Sequence, residues 1–332
     1  MKKIDIFVTL GPRSLNKSFL KFISQKKNNV SLVRLNMSHV NINKLEKIVL
    51  FIKKNCTVPI CIDTEGAQIR IKANKIFSKK IILKEIITFH KLNGSYNFYP
   101  ENVFDILKKN DLLDVGFEGL QLLVKKKDKD KMLLICTKEG VLENNKGVHL
   151  KNRKINLNYI TKKDLKAIKI AKKYKIRNFA LSFTNSKEDI LKFNQILSKE
   201  KKIYKIETSR AIKSLNDFFK HGKHFLIDRG DLSKDIGIEN VPNAQRIVIN
   251  KSKKFKNIKI AIATNFLESM VKSPWPTRAE VNDIYNSIEM GASSLVLAGE
   301  TAVGNYPIEC IKLLNTIIKT YILDKKKNAK KI

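Results

Sequence analysis

Tyr204-Lys205-Ile206-Glu207 and, one element further on, Phe225-Leu226-Ile227-Asp228-Arg229-Gly230-Asp231 are two short apolar runs that each finish in acid. If the runs are neighbouring strands of a β/α barrel, their C-terminal ends lie on the functional face. Two carboxylates there, Glu207 and Asp231, suit a divalent cation with hard oxygen ligands, Mg²⁺ in particular. Lys205 stands two residues before Glu207, so a strand would point both side chains the same way. A cation beside a metal site implies a substrate that carries several negative charges.

Working outward, short apolar runs alternate with amphipathic, lysine-rich helical patterns. Strands are expected at 4–10, 30–35, 58–62, 178–182, 202–206, 224–227, 258–263 and 293–298, and helices at 43–53, 162–172, 187–199 and 307–320. Strand–helix order of this kind fits an α/β chain folded as a parallel (β/α)8 TIM barrel. The rhythm breaks between about 71 and 150, where β-like runs at 120–124 and 132–137 flank a charged turn. That break reads as a small β-rich lid domain inserted after the third strand. The expected organisation is a barrel over 1–71 and 151–322, a lid over 72–150, and a frayed basic tail over 323–332.

At 332 residues and 43% hydrophobic content the chain can build a sizeable core. No apolar run approaches the length of a membrane span, and the first residues carry no signal-peptide pattern. Four cysteines (Cys56, Cys61, Cys136, Cys310) fit neither a CxxC motif nor a disulfide framework, so a reduced, cytoplasmic protein is expected. Lys+Arg 66 against Asp+Glu 31 leaves a net charge of +35. The lysines are spread along the whole chain and no RNA-binding signature interrupts them. A solvated basic surface is therefore the expected meaning, nucleic acid is not the expected partner, and the field would attract anionic metabolites.

Further strand ends carry polar clusters. Arg34-Leu35-Asn36-Met37-Ser38-His39 alternates so that Arg34, Asn36 and Ser38 share one face. Cys61-Ile62-Asp63-Thr64-Glu65-Gly66 offers oxygen ligands at the same level, and Arg70 follows. Thr264 supplies a hydroxyl at the end of the seventh strand, or serves only as a helix cap. Ser273 to Glu280 contains a capping box from Thr277 to Glu280, with Trp275 exposed or held at an interface.

The segments T-L-G-P-R-S (9–14), R-L-N-M-S-H (34–39), D-T-E-G-A-Q-I-R (63–70), K-I-E (205–207), R-G-D-L (229–232), A-T-N-F-L-E-S-M (263–270), P-T-R-A-E (276–280) and G-E-T-A-V-G-N-Y-P (299–307) occur in the order and rough spacing of pyruvate kinase. K-G-V-H-L (146–150) resembles that family's exit from its lid domain. The resemblance covers nearly all of the first 320 or so residues. It implies an enzyme that transfers phosphate from phosphoenolpyruvate to ADP, giving pyruvate and ATP. It also implies that Glu207 and Asp231 hold Mg²⁺, that Lys205 neutralises charge on the phosphoryl group and enolate oxygen, and that Arg34 and Arg70 grip phosphates. His39 would lie near the nucleotide, with Asn36. Asn36, Ser38, Asp63 and the Thr64 carbonyl match the family's K⁺ ligands. Backbone N–H groups of Gly230 and Asp231 would meet the substrate carboxylate, Thr264 would lie on the proton path to the enolpyruvate carbon, and Ser182 would line the pocket.

The chain departs from the family pattern at several positions. Glu65 stands where Lys is usual, Ala67 replaces Pro, Thr208 replaces Asn and Asn265 replaces Gln. Asp228 replaces a small residue. Gln68 occupies the position where Glu or Lys correlates with K⁺ dependence, which leaves that dependence open. The lid's usual acid falls to either Asp114 or Glu118. Ending near the last barrel helix, the chain is expected to lack the usual effector regulation and one tetramer contact, with a homodimer through the barrel near Trp275 to Glu280. Two other readings compete with the enzyme: a pyruvate-kinase-like binding or regulatory protein without turnover, and a basic nucleic-acid-binding protein.

Overall fold

The computed structural model describes residues 3–73, 78–116 and 119–329. The chain forms two compact units, one of residues up to Gly66 and from Tyr159 onward, the other Ala67–Asn158.

The larger unit is a closed barrel of eight strands: β1 Asp5–Thr9, β2 Val30–Asn36, β3 Ile60–Asp63, β4 Asn178–Leu181, β5 Lys201–Ile206, β6 His224–Asp228, β7 Lys259–Ala263 and β8 Ser294–Leu297. Each pairs in parallel with its neighbours, and β1 closes the ring against β8. This is the α/β TIM-barrel architecture expected from the alternation of runs. Outward-facing residues such as Val8, Val33, Leu35, Ile62, Tyr204, Ile206, Phe225 and Ile227 pack under the helices in the main core. Inward-facing Leu32, Cys61, Ala180, Ile203, Leu226, Ala261, Ala263 and Val296 form a separate apolar cluster inside the ring. The period of two in the sequence thus sorts one strand between two environments.

Local signals set the helices in register with the strands. Thr161 and Asp164, Ser186 and Asp189, and Thr277 and Glu280 each form a reciprocal capping box at a helix start. The last helix, Pro307–Ala329, continues through residues expected as a frayed tail. Tyr321 and Ile322 pack on the core, Tyr285 Oη donates to Asp324 at 3.1 Å, and Lys325 meets Glu289 at 3.0 Å. Those contacts extend the helix. All four cysteines are free thiols. Among the described residues, no helix is long and apolar enough to cross a membrane.

The smaller unit has its own core, which includes Phe89, Phe98, Phe104, Leu122 and Leu134. Its main sheet is seven-stranded and antiparallel. Leu120–Lys127 shows why: Leu120, Leu122 and Val124 alternate inward between more exposed neighbours. The unit is wider than the stretch 72–150, because Ile69–Ala73 is itself a sheet strand paired with Gly147–Leu150 and Tyr96–Tyr99. Asp114, one candidate for the lid acid, is buried on the strand Leu112–Val115. Glu118, the other, lies outside the described residues.

Candidate active site

Two residues beyond the inward apolar cluster, on the same strand faces, the side chains become ionic. Leu32 is followed by Arg34, Cys61 by Asp63, Ala180 by Ser182, Ile203 by Lys205 and Leu226 by Asp228. Arg34, Asp63, Ser182, Lys205, Glu207 and Asp228 are all buried. The Arg34 guanidinium donates to Asp63 Oδ2. Lys205 Nζ lies 2.7 Å from Glu207 Oε1, 3.2 Å from Asp228 Oδ2 and 3.8 Å from Asp63 Oδ2. It also donates to Ser182 Oγ at 3.3 Å. Carboxylate oxygens of Glu207, Asp228 and Asp231 lie within 4.8 Å of one another.

Burial works against the charge on Lys205, but Asp63, Glu207 and Asp228 outweigh it and hold the ammonium above its ordinary pKa. Burial also dominates at Glu207; with Asp228 and Asp231 nearby it pushes that carboxyl up to about 8 despite Lys205. At Asp228 burial is outweighed by Lys205 and Arg34, which hold the carboxyl below its usual range. A divalent cation among the three acids would relieve the repulsion that raises Glu207.

The loops that carry these groups are themselves pinned. Asp164 accepts from the backbone of Glu65 at 2.9 Å and Gly66 at 3.2 Å, which ties the end of β3 to the start of the helix Lys162–Lys173. Gly66 has φ +65°, and a Cβ there would come within 2.8 Å of Ser182. The close approach lets Ser182 Oγ donate to the Thr64 carbonyl at 2.6 Å. Glu65 accepts from Thr161 Oγ1 at 2.8 Å and pairs with Lys163 at 3.2 Å. The unusual acid at 65 thus has a cation of its own. Lys163 also donates to the Met37 carbonyl.

Thr264 has φ 74°, a left-handed conformation that is strained for a β-branched residue and that persists where the surroundings impose it. Its Oγ1 accepts from Gly230 N at 2.9 Å and donates to the Ala263 carbonyl at 2.5 Å. Arg229 donates through Nε to the Thr264 carbonyl at 3.1 Å and pairs with Asp283 at 2.7 Å. Thr264 is therefore not a helix cap; its hydroxyl joins the end of β7 to the start of the helix Arg229–Ile236.

Of the residues expected to act together, Arg34, Asp63, Ser182, Lys205, Glu207 and Asp231 converge, with Gly230 and Thr264 beside them. Asn36 sits next to Asp63 in the strand register, and its side-chain oxygen accepts from Ser38 N at 2.9 Å. Thr64 and Ser38 are buried and His39 is exposed. Arg70 belongs to the smaller unit, where it donates to the Asn145 carbonyl at 3.0 Å and to Gln68. Two participants were given no role from the sequence. Asp228 obeys the same i+2 arithmetic that joined Lys205 to Glu207. Glu300, buried, accepts from the backbone of Phe266 and Leu267 at 3.2 Å each and of Ala298 at 2.8 Å, which fixes the loop after β7. Its sequence signal was its place in the segment 299–307, just after the eighth strand.

Residues 1–311 match the pyruvate kinase barrel domain family. The chain belongs to the pyruvate kinase family. It is 33% identical over 324 residues to pyruvate kinase of Methanocaldococcus jannaschii, covering 96% of this chain and 69% of that one. Pyruvate kinase of Thermotoga maritima is 32% identical over 339 residues, with 96% and 71% covered. Against pyruvate kinase of Staphylococcus epidermidis the identity is 32% over 337 residues, and the chain spans 56% of that relative. Family membership and the ionic pocket at the C-terminal ends of the strands agree with the usual place of chemistry in a TIM barrel.

Proposed function

We propose that this chain transfers the phosphoryl group of phosphoenolpyruvate to ADP, giving pyruvate and ATP. The observation that carries the reading is the meeting of buried Arg34, Lys205 and Glu207 with half-buried Asp231 at the mouth of the barrel. Nε and Nη1 of Arg34 are buried without a hydrogen-bond partner among the described residues. Such donors suit an incoming phosphate, with the planar fork able to grip two oxygens.

Lys205 would lie against the phosphoryl group and the oxygen that becomes the enolate, where charge grows during transfer. Glu207 and Asp231 would hold Mg²⁺; their hard oxygen donors and the buried acid of raised pKa fit that ion. When bound, Mg²⁺ supplies positive charge to the phosphoryl and carboxylate oxygens of the substrate. The substrate carboxylate would meet the amides of Gly230 and Asp231, displacing Thr264 Oγ1 from Gly230. So released, the Thr264 hydroxyl would lie on the proton path to the enolpyruvate carbon, with Ser182 lining the pocket.

Asn36, Ser38, Asp63 and the Thr64 carbonyl would take K⁺; carbonyl, hydroxyl and carboxylate oxygens suit it. His39 and Asn36 would serve the nucleotide. One observation favours a binding protein without turnover: Asp228 adds an acid beside Lys205 and cancels charge that an anionic substrate needs. Pyruvate release from phosphoenolpyruvate and ADP by the purified chain, with Mg²⁺ or chelator and with or without K⁺, tests the proposal. Mg²⁺-dependent release is expected; substrate binding with no pyruvate would overturn it. The barrel face near Trp275, which is 76% exposed, is the proposed self-association surface, to be checked by mass in solution.

A further inference from the structure

Asp228 has no part in the chemistry just described, yet it lies at the centre of the pocket. It ends β6 on the inward face and is 6% exposed. It also precedes the helix Arg229–Ile236 at the N-cap position, where the first-turn amide of Asp231 helps to hold its carboxyl low. Its Oδ2 lies 3.2 Å from Lys205, but that cation is shared with Glu207 at 2.7 Å, and Arg34 pairs with Asp63. Asp228 is thus a third buried acid against two buried cations, with the carboxylate of Asp231 close by.

Glu207 adds an independent sign. Its Oε2 accepts from the backbone of Phe183, while its buried Oε1 has Lys205 at 2.7 Å and no well-aligned hydrogen bond among the described residues. A buried anionic oxygen left in this way, within 4.8 Å of oxygens on two further acids, is arranged for a cation bound directly by carboxylates. A Cβ placed on Gly230 would lie 3.6 Å from Asp228 Oδ1, so that second oxygen turns toward the start of the helix that bears Asp231.

We propose that Asp228 is a third carboxylate ligand of the divalent-cation site, so that this chain presents three acidic donors where the family resemblance implies two. The inference rests on the reading of Glu207 and Asp231 as cation ligands. Two consequences follow. Affinity for a divalent cation rises with the charge count of its ligands, so the site fills before substrate arrives. One water molecule is also lost from the bound ion, its place taken by Asp228.

Mn²⁺ is the probe, with free ion counted by electron paramagnetic resonance and coordinated water counted by line broadening in ¹⁷O-enriched water. The unaltered protein is expected to bind Mn²⁺ without substrate. Asp228→Ala should weaken binding by more than the roughly 10-fold that even an outer partner of a ligand is worth, and should gain a coordinated water. Asp228→Asn, nearly the same shape, should fall between the two because its amide oxygen ligates without charge. It also carries the test if the alanine variant does not fold. Weaker binding with the water count unchanged in both variants would overturn the proposal, since Asp228 would then act only as a nearby charge. Unchanged affinity would overturn it as well. Glu207→Gln separates the two readings: if it binds Mn²⁺ like the parent, the cation-site reading falls too; if it loses binding while Asp228→Ala does not, only the role of Asp228 fails.

Discussion

Inside the barrel, two rings of side chains stand two residues apart on the same strands and could hardly differ more. The lower one, with Leu32, Cys61, Ala180, Ile203 and Leu226, is apolar and buried. The upper one, with Arg34, Asp63, Ser182, Lys205 and Asp228, is charged and just as buried. Neither is exposed to bulk water, so burial alone does not decide which residues line a barrel. The difference lies in partners. Leu226 needs only neighbours of the right shape, whereas Lys205 needs anions within a few ångströms to offset the loss of its hydration. The apolar ring closes the pocket from below, and the ionic ring above it inherits a low-dielectric setting in which each charge acts strongly.

Breaking the upper ring should cost the most. Asp63→Ala strips Arg34 of its partner and Lys205 of one of its anions, and should destabilise the fold by about 3–5 kcal/mol, the scale for a broken buried ion pair; chemical denaturation measures it. In the lower ring, Leu226→Ala should cost about 2–5 kcal/mol through transfer and cavity effects, while the turnover of the folded fraction stays near the parent's. Lys205→Met reverses that pattern. Turnover should drop by about 10²–10³, equivalent to about 2.7–4 kcal/mol of transition-state stabilisation, in a coupled assay of purified protein. If Leu226→Ala and Lys205→Met gave the same profile, the division of labour between the rings would be wrong.

Outside both rings, Thr277→Ala removes one half of a capping box and should cost about 1 kcal/mol. It calibrates the larger losses. Glu280 then adds a pH dependence. Burial works to raise its carboxyl, but hydrogen bonds from Ser269 and Thr277 outweigh burial and hold it below its ordinary pKa. Its stabilising contribution is therefore present above the unfolded value of about 4.3 and is lost as pH falls through the folded value. The stability gap between the parent and Glu280→Gln should shrink on acidification through that window; a gap that widened would contradict the sign.

The barrel was legible because eight short apolar runs alternating with amphipathic helical patterns leave few other folds. The pairing of Lys205 with Glu207 was legible from the strand's period of two. What the chain alone did not reveal is stagger between strands. Arg34 pairs in register with Cys61, and Asn36 with Asp63, so Asp63 reaches Arg34 diagonally on the adjacent strand. The family resemblance gave one residue to a phosphate and the other to K⁺. Asp228 carried only the signal of a departure from the family pattern, because the cations that it faces, Lys205 and Arg34, lie on other strands. Ile69–Ala73 looked like the end of the barrel motif, but its ladder partners, far off in sequence, make it part of the smaller unit.

The central claim is that the upper ring moves a phosphoryl group and does not merely hold an anion. ³¹P nuclear magnetic resonance of phosphoenolpyruvate and ADP mixed with the purified chain and Mg²⁺ tests it most directly. The phosphoenolpyruvate signal is expected to decay as the γ-phosphate of ATP grows in equal amount, and chelating the metal to stop the exchange. A phosphoenolpyruvate signal that broadens on binding but never gives rise to ATP would contradict it.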